Sequence, residues 1–147
     1  MAETVLGIDY GARRIGVAIA DLQLRVATPL TTLDSRNEAT RDARLATDLG
    51  QEQTACAFVV GLPVNMSGSD SEQTRLTRRF ADELARLSAK PVHLQDERLT
   101  SDAAEEVLEE AAVSQRRRKG LTDRIAAQKI LQAWLDAPPP TAQIPES

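Results

Sequence analysis

The apolar positions in the first third of the chain predict strands before any helix. Residues 4–9 (TVLGID) and 15–20 (IGVAIA) are short apolar runs on either side of a glycine-containing turn, which is typical of a β-hairpin. A third strand is predicted at residues 25–32, where Pro29 restricts it to a sheet edge or shortens it. We therefore expect the chain to open with antiparallel strands.

From residue 35 onward, the pattern alternates between helix and strand. Ser35 to Glu38 has the Ser-x-x-Glu form of a capping box and predicts a helix that ends near Gly50. The continuously apolar run at 57–62 predicts a parallel central strand, and a second Ser-x-x-Glu box at 69–72 predicts another helix. The remaining predicted elements are a strand at 92–97, a helix capped by Thr100 or Ser101, and a final helix capped by Thr122. This order predicts an α/β fold in which helices pack on a mixed sheet.

Length and composition indicate one globular domain. The 147 residues suffice for a single core, so we expect a domain at 1–136 and a Pro-rich, disordered tail at 137–147. No apolar run approaches the roughly 20 residues of a membrane span, and no signal-peptide pattern is present, so we expect a cytoplasmic protein without a membrane partner. One cysteine and one histidine leave oxygen atoms as the available metal ligands. The net charge of −4 argues against coating of nucleic acid but allows a local basic patch.

Acidic residues lie where the predicted elements end. Asp9 closes the first strand, Asp96 and Glu97 close the last, and Asp123 begins the final helix. Each alone could be structural, as a turn former or a charge at a helix start, and neighbouring side chains on a regular strand face opposite ways, so the pattern does not choose between Asp96 and Glu97. Crowded carboxylates repel, and Mg²⁺ or Mn²⁺ relieves that repulsion. Two such ions can support hydrolysis of a phosphodiester, so a metal site is predicted here.

Basic and glycine residues lie beside these acidic positions. Arginines next to the carboxylates could bind phosphates or form structural ion pairs, and the basic run at 115–119 could contact nucleic acid or be a solvated loop. The candidate nucleic-acid-binding residues are Arg13, Arg14, Arg98, Arg116, Arg117, Arg118 and Lys119. The positions expected to let a phosphate approach are Gly11, Gly61 and Asn65, with ordinary turn geometry as the alternative.

Four segments of the chain resemble the signature blocks of the YqgF family, also called RuvX. They are GIDYGARRIGVAIAD, VVGLPVNMSGSDSEQTRLTRRFADEL, DERLTSDAAEEVL and LTDRIAAQKILQAWLD, and the resemblance runs from about residue 4 to 136. It implies an RNase H-like fold with a five-stranded mixed sheet, antiparallel at first and then parallel. It also implies a nuclease that matures the 5′ end of pre-16S ribosomal RNA or resolves Holliday junctions. The family's three acidic residues fall on Asp9, Glu97 and Asp123, which leaves Asp96 in a supporting position.

The resulting hypothesis is a nuclease that depends on Mg²⁺ or Mn²⁺ and acts on precursor rRNA or branched DNA, as a monomer or a homodimer. Two other classes compete with it. The Asp-x-Gly turn also resembles the start of sugar kinases, actin and heat-shock ATPases, but those proteins clamp nucleotide between two such domains and this chain has the length of one. The third hypothesis is a non-catalytic RNA-binding or transcription-associated module. The complete acidic triad argues against it.

Overall fold

A computed structural model describes residues 3–64, 70–97 and 115–137, with side chains described from residue 121 onward in the last segment. Several predicted features lie outside the described residues: Asn65, Arg98, the helix capped by Thr100 or Ser101, the side chains of 116–119, and the tail beyond residue 137.

The described residues form a five-stranded mixed sheet with the strand order β3-β2-β1-β4-β5. Antiparallel pairs join β1 to β2 and β2 to β3, whereas β4 runs parallel to β1 and β5 parallel to β4. The bounds of the strands are β1 Thr4–Tyr10, β2 Arg14–Asp21, β3 Val26–Asp34, β4 Ala55–Leu62 and β5 Val92–Asp96. The predicted fold class is confirmed, and the strand that contains Pro29 lies at an edge of the sheet as expected.

Three helices of the described segments pack on the two faces of this sheet: α1 Ala39–Glu52, α2 Glu72–Ser88 and α3 Gln115–Asp136. Helices α1 and α2 pack on one face of the sheet and form one hydrophobic core with the strand side chains on that face. Helix α3 packs on the other face and forms a second core with the strand side chains there. Because side chains alternate along a strand, each buried strand contributes to both cores. No helix among the described residues is long and apolar enough to cross a membrane.

The two faces of the sheet differ in side-chain size. The face under α1 and α2 carries large residues, such as Leu6, Ile8 and Phe58. The face under α3 carries alanine and glycine on three adjacent strands: Gly7 on β1, Gly16 and Ala18 on β2, and Ala57 and Gly61 on β4. A methyl group on Gly7 would lie 2.6 Å from Leu131 Cβ, closer than side chains approach one another. The small residues therefore let α3 lie closer to the sheet than larger side chains would allow.

Side chains of α3 also bond to the free edge of β3. Gln132 Oε1 accepts from the Ala27 N–H at 2.8 Å, and Gln128 Nε2 donates to the Ala27 carbonyl at 3.0 Å. These bonds occupy backbone groups that an edge strand otherwise leaves open to another chain. They also fix where α3 lies along the sheet, which determines where its N-terminal half meets β1 and β2.

The predicted start of the first helix is wrong. Helix α1 begins at Ala39, and its cap is Glu38, whose side chain accepts from the Arg41 N–H at 2.9 Å. Ser35 instead donates to the buried carboxylate of Asp42 at 3.0 Å, because the segment before the helix folds around that carboxylate.

The predicted end of α1 near Gly50 agrees with the structure within two residues, whereas the predicted caps of the other two described helices need correction. Helix α1 continues through Gly50, which packs against the Phe58 ring, to Glu52. Helix α2 is capped by Ser71, which exchanges hydrogen bonds with Thr74, rather than by Ser69. Helix α3 begins at Gln115, so Thr122 lies inside it and is not its cap. The residues at 115–119 are good helix formers, which explains the earlier start.

Candidate active site

The first two acidic residues meet at the carboxyl end of the parallel strands. Asp9 follows Val5 and Gly7 on the α3 face of β1, and Glu97 comes immediately after β5 on the same face as Gln95. The side chains of Asp9 and Glu97 are hydrogen-bonded to each other. Two carboxyl groups form such a bond only when they share a proton.

The strand between them makes this contact possible. Strand β4 lies between β1 and β5, and its residue at this level is Gly61. A methyl group on Gly61 would lie 2.8 Å from Glu97 Cγ and 3.0 Å from Glu97 Oε2. The Glu97 side chain therefore reaches Asp9 across a position where any side chain would obstruct it.

The electrostatics of the pair follow from burial and from neighbouring negative charge. Burial raises the pKa of Asp9 to about 8, and the charges of Glu97 and Asp123 and the hydrogen bond to Glu97 act in the same direction. Burial also raises the pKa of Glu97, as does the charge of Asp96, while the hydrogen bond from Asp9 opposes them. At neutral pH the pair therefore holds a proton that ordinary carboxyl groups would have lost.

The third acidic residue comes from α3 and packs on Gly16. In the β1–β2 pair, Gly16 lies directly opposite Asp9, and a methyl group on Gly16 would lie 2.8 Å from Asp123 Cβ and closer still to the Asp123 backbone carbonyl. The missing side chain at Gly16 thus brings Asp123 close enough to Asp9 to raise its pKa. Arg14 Nε donates to Asp123 Oδ2 at 2.6 Å, which forms an ion pair at the rim of the site.

The end of β1 is anchored from the opposite face of the sheet. Tyr10 stacks on Phe80 with ring centroids 4.2 Å apart, and its hydroxyl donates to Asp42 at 2.6 Å. Burial raises the pKa of Tyr10, and the contact with Asp42 adds to that effect. Burial also favours the neutral form of Asp42, but hydrogen bonds from Tyr10, Arg36, Glu38 and Ser35 outweigh it and lower the pKa of Asp42. Contacts with α1 and α2 therefore fix Tyr10, and because Tyr10 follows Asp9 in the chain, they also fix the backbone of Asp9.

The other predicted site residues occupy the rim or lie outside the described part of the chain. The Gly11 N–H donates to the Arg14 carbonyl at 3.0 Å and closes the turn between β1 and β2, and Arg13 lies exposed on that turn. Asp96 ends β5 beside Glu97. The backbone of the predicted basic residues Arg116, Arg117, Arg118 and Lys119 lies in α3, N-terminal to Asp123.

Sequence reasoning missed two contacts that α3 makes with the sheet. Arg124 follows Asp123, and its Nε donates to Thr32 Oγ1 at 2.9 Å. In the structure α3 packs directly on Gly16, a contact that the sequence analysis did not predict. The signal for the second was present in the sequence, since Gly16, Ala18 and Ala20 are small residues at every second position.

The donor set matches a hard divalent cation. It consists of carboxylates from Asp9, Glu97 and Asp123, without sulfur or imidazole, which is the chemistry that Mg²⁺ and Mn²⁺ prefer. Within the described segments, no three Asp, Glu, His or Cys side chains stand in an arrangement that could hold a metal ion as they are. Instead, Asp9 holds a proton next to Glu97, which removes one of the two charges of the pair, and Arg14 forms an ion pair with Asp123. The three carboxyl groups are ligands of the type that Mg²⁺ and Mn²⁺ prefer, and metal binding would require the proton on Asp9 and Glu97 to be released.

The strand order β3-β2-β1-β4-β5, with helices on both faces of the sheet, is that of an RNase H-like fold. Among solved structures, Thermus thermophilus RuvC in complex with a Holliday junction substrate superposes with a TM-score of 0.52 at 15% identity, covering 91% of this chain and 96% of that one. A second Thermus thermophilus RuvC structure gives a TM-score of 0.50 at 13% identity, over 90% and 93% of the two chains. The RNase H-like fold is thereby confirmed.

The chain belongs to the RuvX family. The family model described as "RuvX: Holliday junction resolvase" matches residues 3–137. A relative from Nitrosomonas europaea is 45% identical over 90% of this chain and 89% of its own length, and one from Anaeromyxobacter sp. is 46% identical over 89% and 95%. Both carry the name "Putative pre-16S rRNA nuclease". The resemblance in the sequence is confirmed, and the family assignment supports a nuclease role.

Proposed function

We propose that this chain is a divalent-metal-dependent nuclease that hydrolyses phosphodiester bonds in structured RNA, in the 5′ maturation of pre-16S rRNA. The observation that carries the proposal is the direct contact of two half-buried carboxyl groups, Asp9 and Glu97, with a third carboxylate, Asp123, near enough to raise the pKa of Asp9. The names of the relatives supply the substrate. A ribosomal RNA precursor as substrate also agrees with the expected cytoplasmic location.

In this proposal Asp9, Glu97 and Asp123 hold Mg²⁺ or Mn²⁺. The bound ions supply an activated water and stabilise the leaving oxygen. The protein has to provide ionised carboxylates, so the proton shared by Asp9 and Glu97 is released when the site is loaded. Arg13, on the turn before β2, and Arg14, its first residue, are proposed to bind phosphates of the strand, and Arg98 and the basic run at 116–119 are proposed to extend that contact.

A branched-DNA substrate is the second candidate, and the family description as a Holliday junction resolvase favours it. Two symmetric cuts across a four-way junction require two copies of the site, so this function needs a homodimer. Trimming the end of an RNA needs only a monomer. Solution mass therefore helps to separate the two candidates.

The test is cleavage by the purified chain of a labelled pre-16S rRNA fragment and of a four-way DNA junction, each with Mg²⁺ or Mn²⁺ and with EDTA. We expect metal-dependent cleavage of the RNA fragment, lost in Asp9→Asn and kept in Asp48→Asn. Asp48 is a matched control because it is an exposed aspartate on α1, on the other face of the sheet. Preferential cleavage of the junction by a dimer would favour the second candidate. RNA binding in EDTA without cleavage in metal would instead support a non-catalytic module.

A further inference from the structure

The ion pair between Arg14 and Asp123 joins the proposed metal site to its rim. Arg14 is the first residue of β2, and its Nε donates to Asp123 Oδ2 at 2.6 Å. The arginine side chain is 35% exposed and that of Asp123 is 19% exposed, so one partner reaches solvent and the other faces inward. The pair therefore spans the boundary between the acidic cluster and the surface where a strand would approach.

The backbone of Asp123 has little freedom to move away from Arg14. Its backbone packs against Gly16, and its Cβ would lie 2.8 Å from a methyl group there. The carboxylate itself remains free to rotate about its side-chain bonds. Its Oδ2 accepts from Arg14, and its charge raises the pKa of Asp9. Asp123 therefore interacts both with a guanidinium and with Asp9.

We propose that Arg14 competes with the divalent cation for Asp123 and thereby limits metal binding until a substrate phosphate takes Arg14 away. This inference rests on the proposed function. A guanidinium and a metal ion both draw on the negative charge of the same carboxylate, and their positive charges repel each other. A phosphate that binds Arg14 removes this competitor. Metal binding and phosphate binding should therefore strengthen each other by the same factor, as linkage requires.

The experiment measures Mn²⁺ binding by calorimetry, without nucleic acid, for the wild type, Arg14→Gln and Arg124→Gln. Arg124 is the matched control: it is the neighbour of Asp123 and carries the same charge, but it donates to Thr32 and not to the carboxylate. We expect Arg14→Gln to bind Mn²⁺ about fivefold more tightly than the wild type, the upper end of what a partly exposed ion pair contributes. Arg124→Gln should stay within about twofold, because its charge acts only at a distance.

A second pair of variants, made in Asp123→Asn, separates competition for the carboxylate from the overall loss of one positive charge. In Asp123→Asn there is no carboxylate to compete for, so adding Arg14→Gln should leave Mn²⁺ affinity unchanged. Thermal denaturation of each variant confirms that it is folded. A short single-stranded RNA added to the wild type should raise Mn²⁺ affinity, and this gain should be absent in Arg14→Gln.

The proposal is overturned if Arg14→Gln binds Mn²⁺ no more tightly than the wild type, or if Arg124→Gln or the Asp123→Asn background shows the same gain. The proposed function fails on a different result, namely RNA cleavage that does not depend on Asp9. A metal-dependent nuclease with an unchanged Mn²⁺ affinity in Arg14→Gln would keep the function and reject the competition.

Discussion

One added methyl group at Gly16 tests whether the approach of α3 to β2 builds the site. In Gly16→Ala, the new Cβ would lie 2.8 Å from Asp123 Cβ and closer still to the Asp123 carbonyl, whereas ordinary contacts begin at 3.4 Å. Strand β2 is held by β1 and β3 on its two sides, so the helix has to yield rather than the strand. The N-terminal half of α3, and Asp123 with it, would move outward by on the order of 1 Å.

The size of the effect follows from that displacement. Overpacking of this kind costs about 1–3 kcal/mol of unfolding free energy, which leaves a typical domain folded. Misplacement of a catalytic group by about 1 Å lowers the rate by about 100-fold. We therefore expect Gly16→Ala to melt at a lower temperature, to remain folded at 25 °C, and to cleave the RNA fragment about 100-fold more slowly in single-turnover assays with Mn²⁺.

Gly50→Ala is the control for overpacking alone. Its methyl group would lie 2.5 Å from the Phe58 ring, in the core on the opposite face of the sheet from α3. We expect some loss of thermal stability in this variant but a cleavage rate near that of the wild type at 25 °C. If Gly16→Ala cleaves at the wild-type rate, or if Gly50→Ala loses as much activity, the close approach of α3 is not what positions Asp123.

Two further predictions concern stability. Asp42→Asn should lower the unfolding free energy by about 2–3 kcal/mol in urea titrations, because the buried carboxylate accepts hydrogen bonds from Tyr10 and from the segment before α1. Folding lowers the pKa of Asp42, so the stabilisation by its ionised form is present above pH 3.8 and is lost as the pH falls below that value. If the unfolding free energy of Asp42→Asn falls with acid as steeply as that of the wild type, this prediction is contradicted. For Asp9 the sign is opposite: its pKa rises from 3.8 to about 8, so the metal-free protein should lose stability as the pH rises between those values, and Asp9→Asn should flatten that slope.

The sheet and the meeting of Asp9 with Glu97 follow from local rules. Short apolar runs with turn residues between them predicted all five described strands to within two residues at each end, and the carboxyl ends of parallel strands share one edge of a sheet. The pattern alone could not choose between Asp96 and Glu97, because that choice depends on where β5 ends. In the structure Glu97 reaches Asp9 across Gly61, and the family resemblance had selected the same residue.

The features that sequence reasoning missed depend on contacts between distant parts of the chain. Ser35 matched a capping box, but it is drawn to Asp42, whose buried carboxylate gathers the preceding segment. Asp123 was expected at a helix start and lies inside α3, where packing on Gly16 and not a helix dipole fixes it. The pairing of Asp123 with Arg14 joins residues that are far apart in sequence, so no local pattern could predict it.

The central claim is that Asp9, Glu97 and Asp123 bind a divalent cation in exchange for a proton. Calorimetric titration of the wild type with Mn²⁺ at pH 7, repeated in buffers of different ionisation enthalpy, measures affinity and proton release together. We predict binding with release of about one proton per site, since the pKa of Asp9 lies at about 8 before metal binds. Asp9→Asn should bind at least about tenfold more weakly and release no proton. Equal Mn²⁺ affinity in the wild type and in Asp9→Asn, or binding without proton release, would contradict the account.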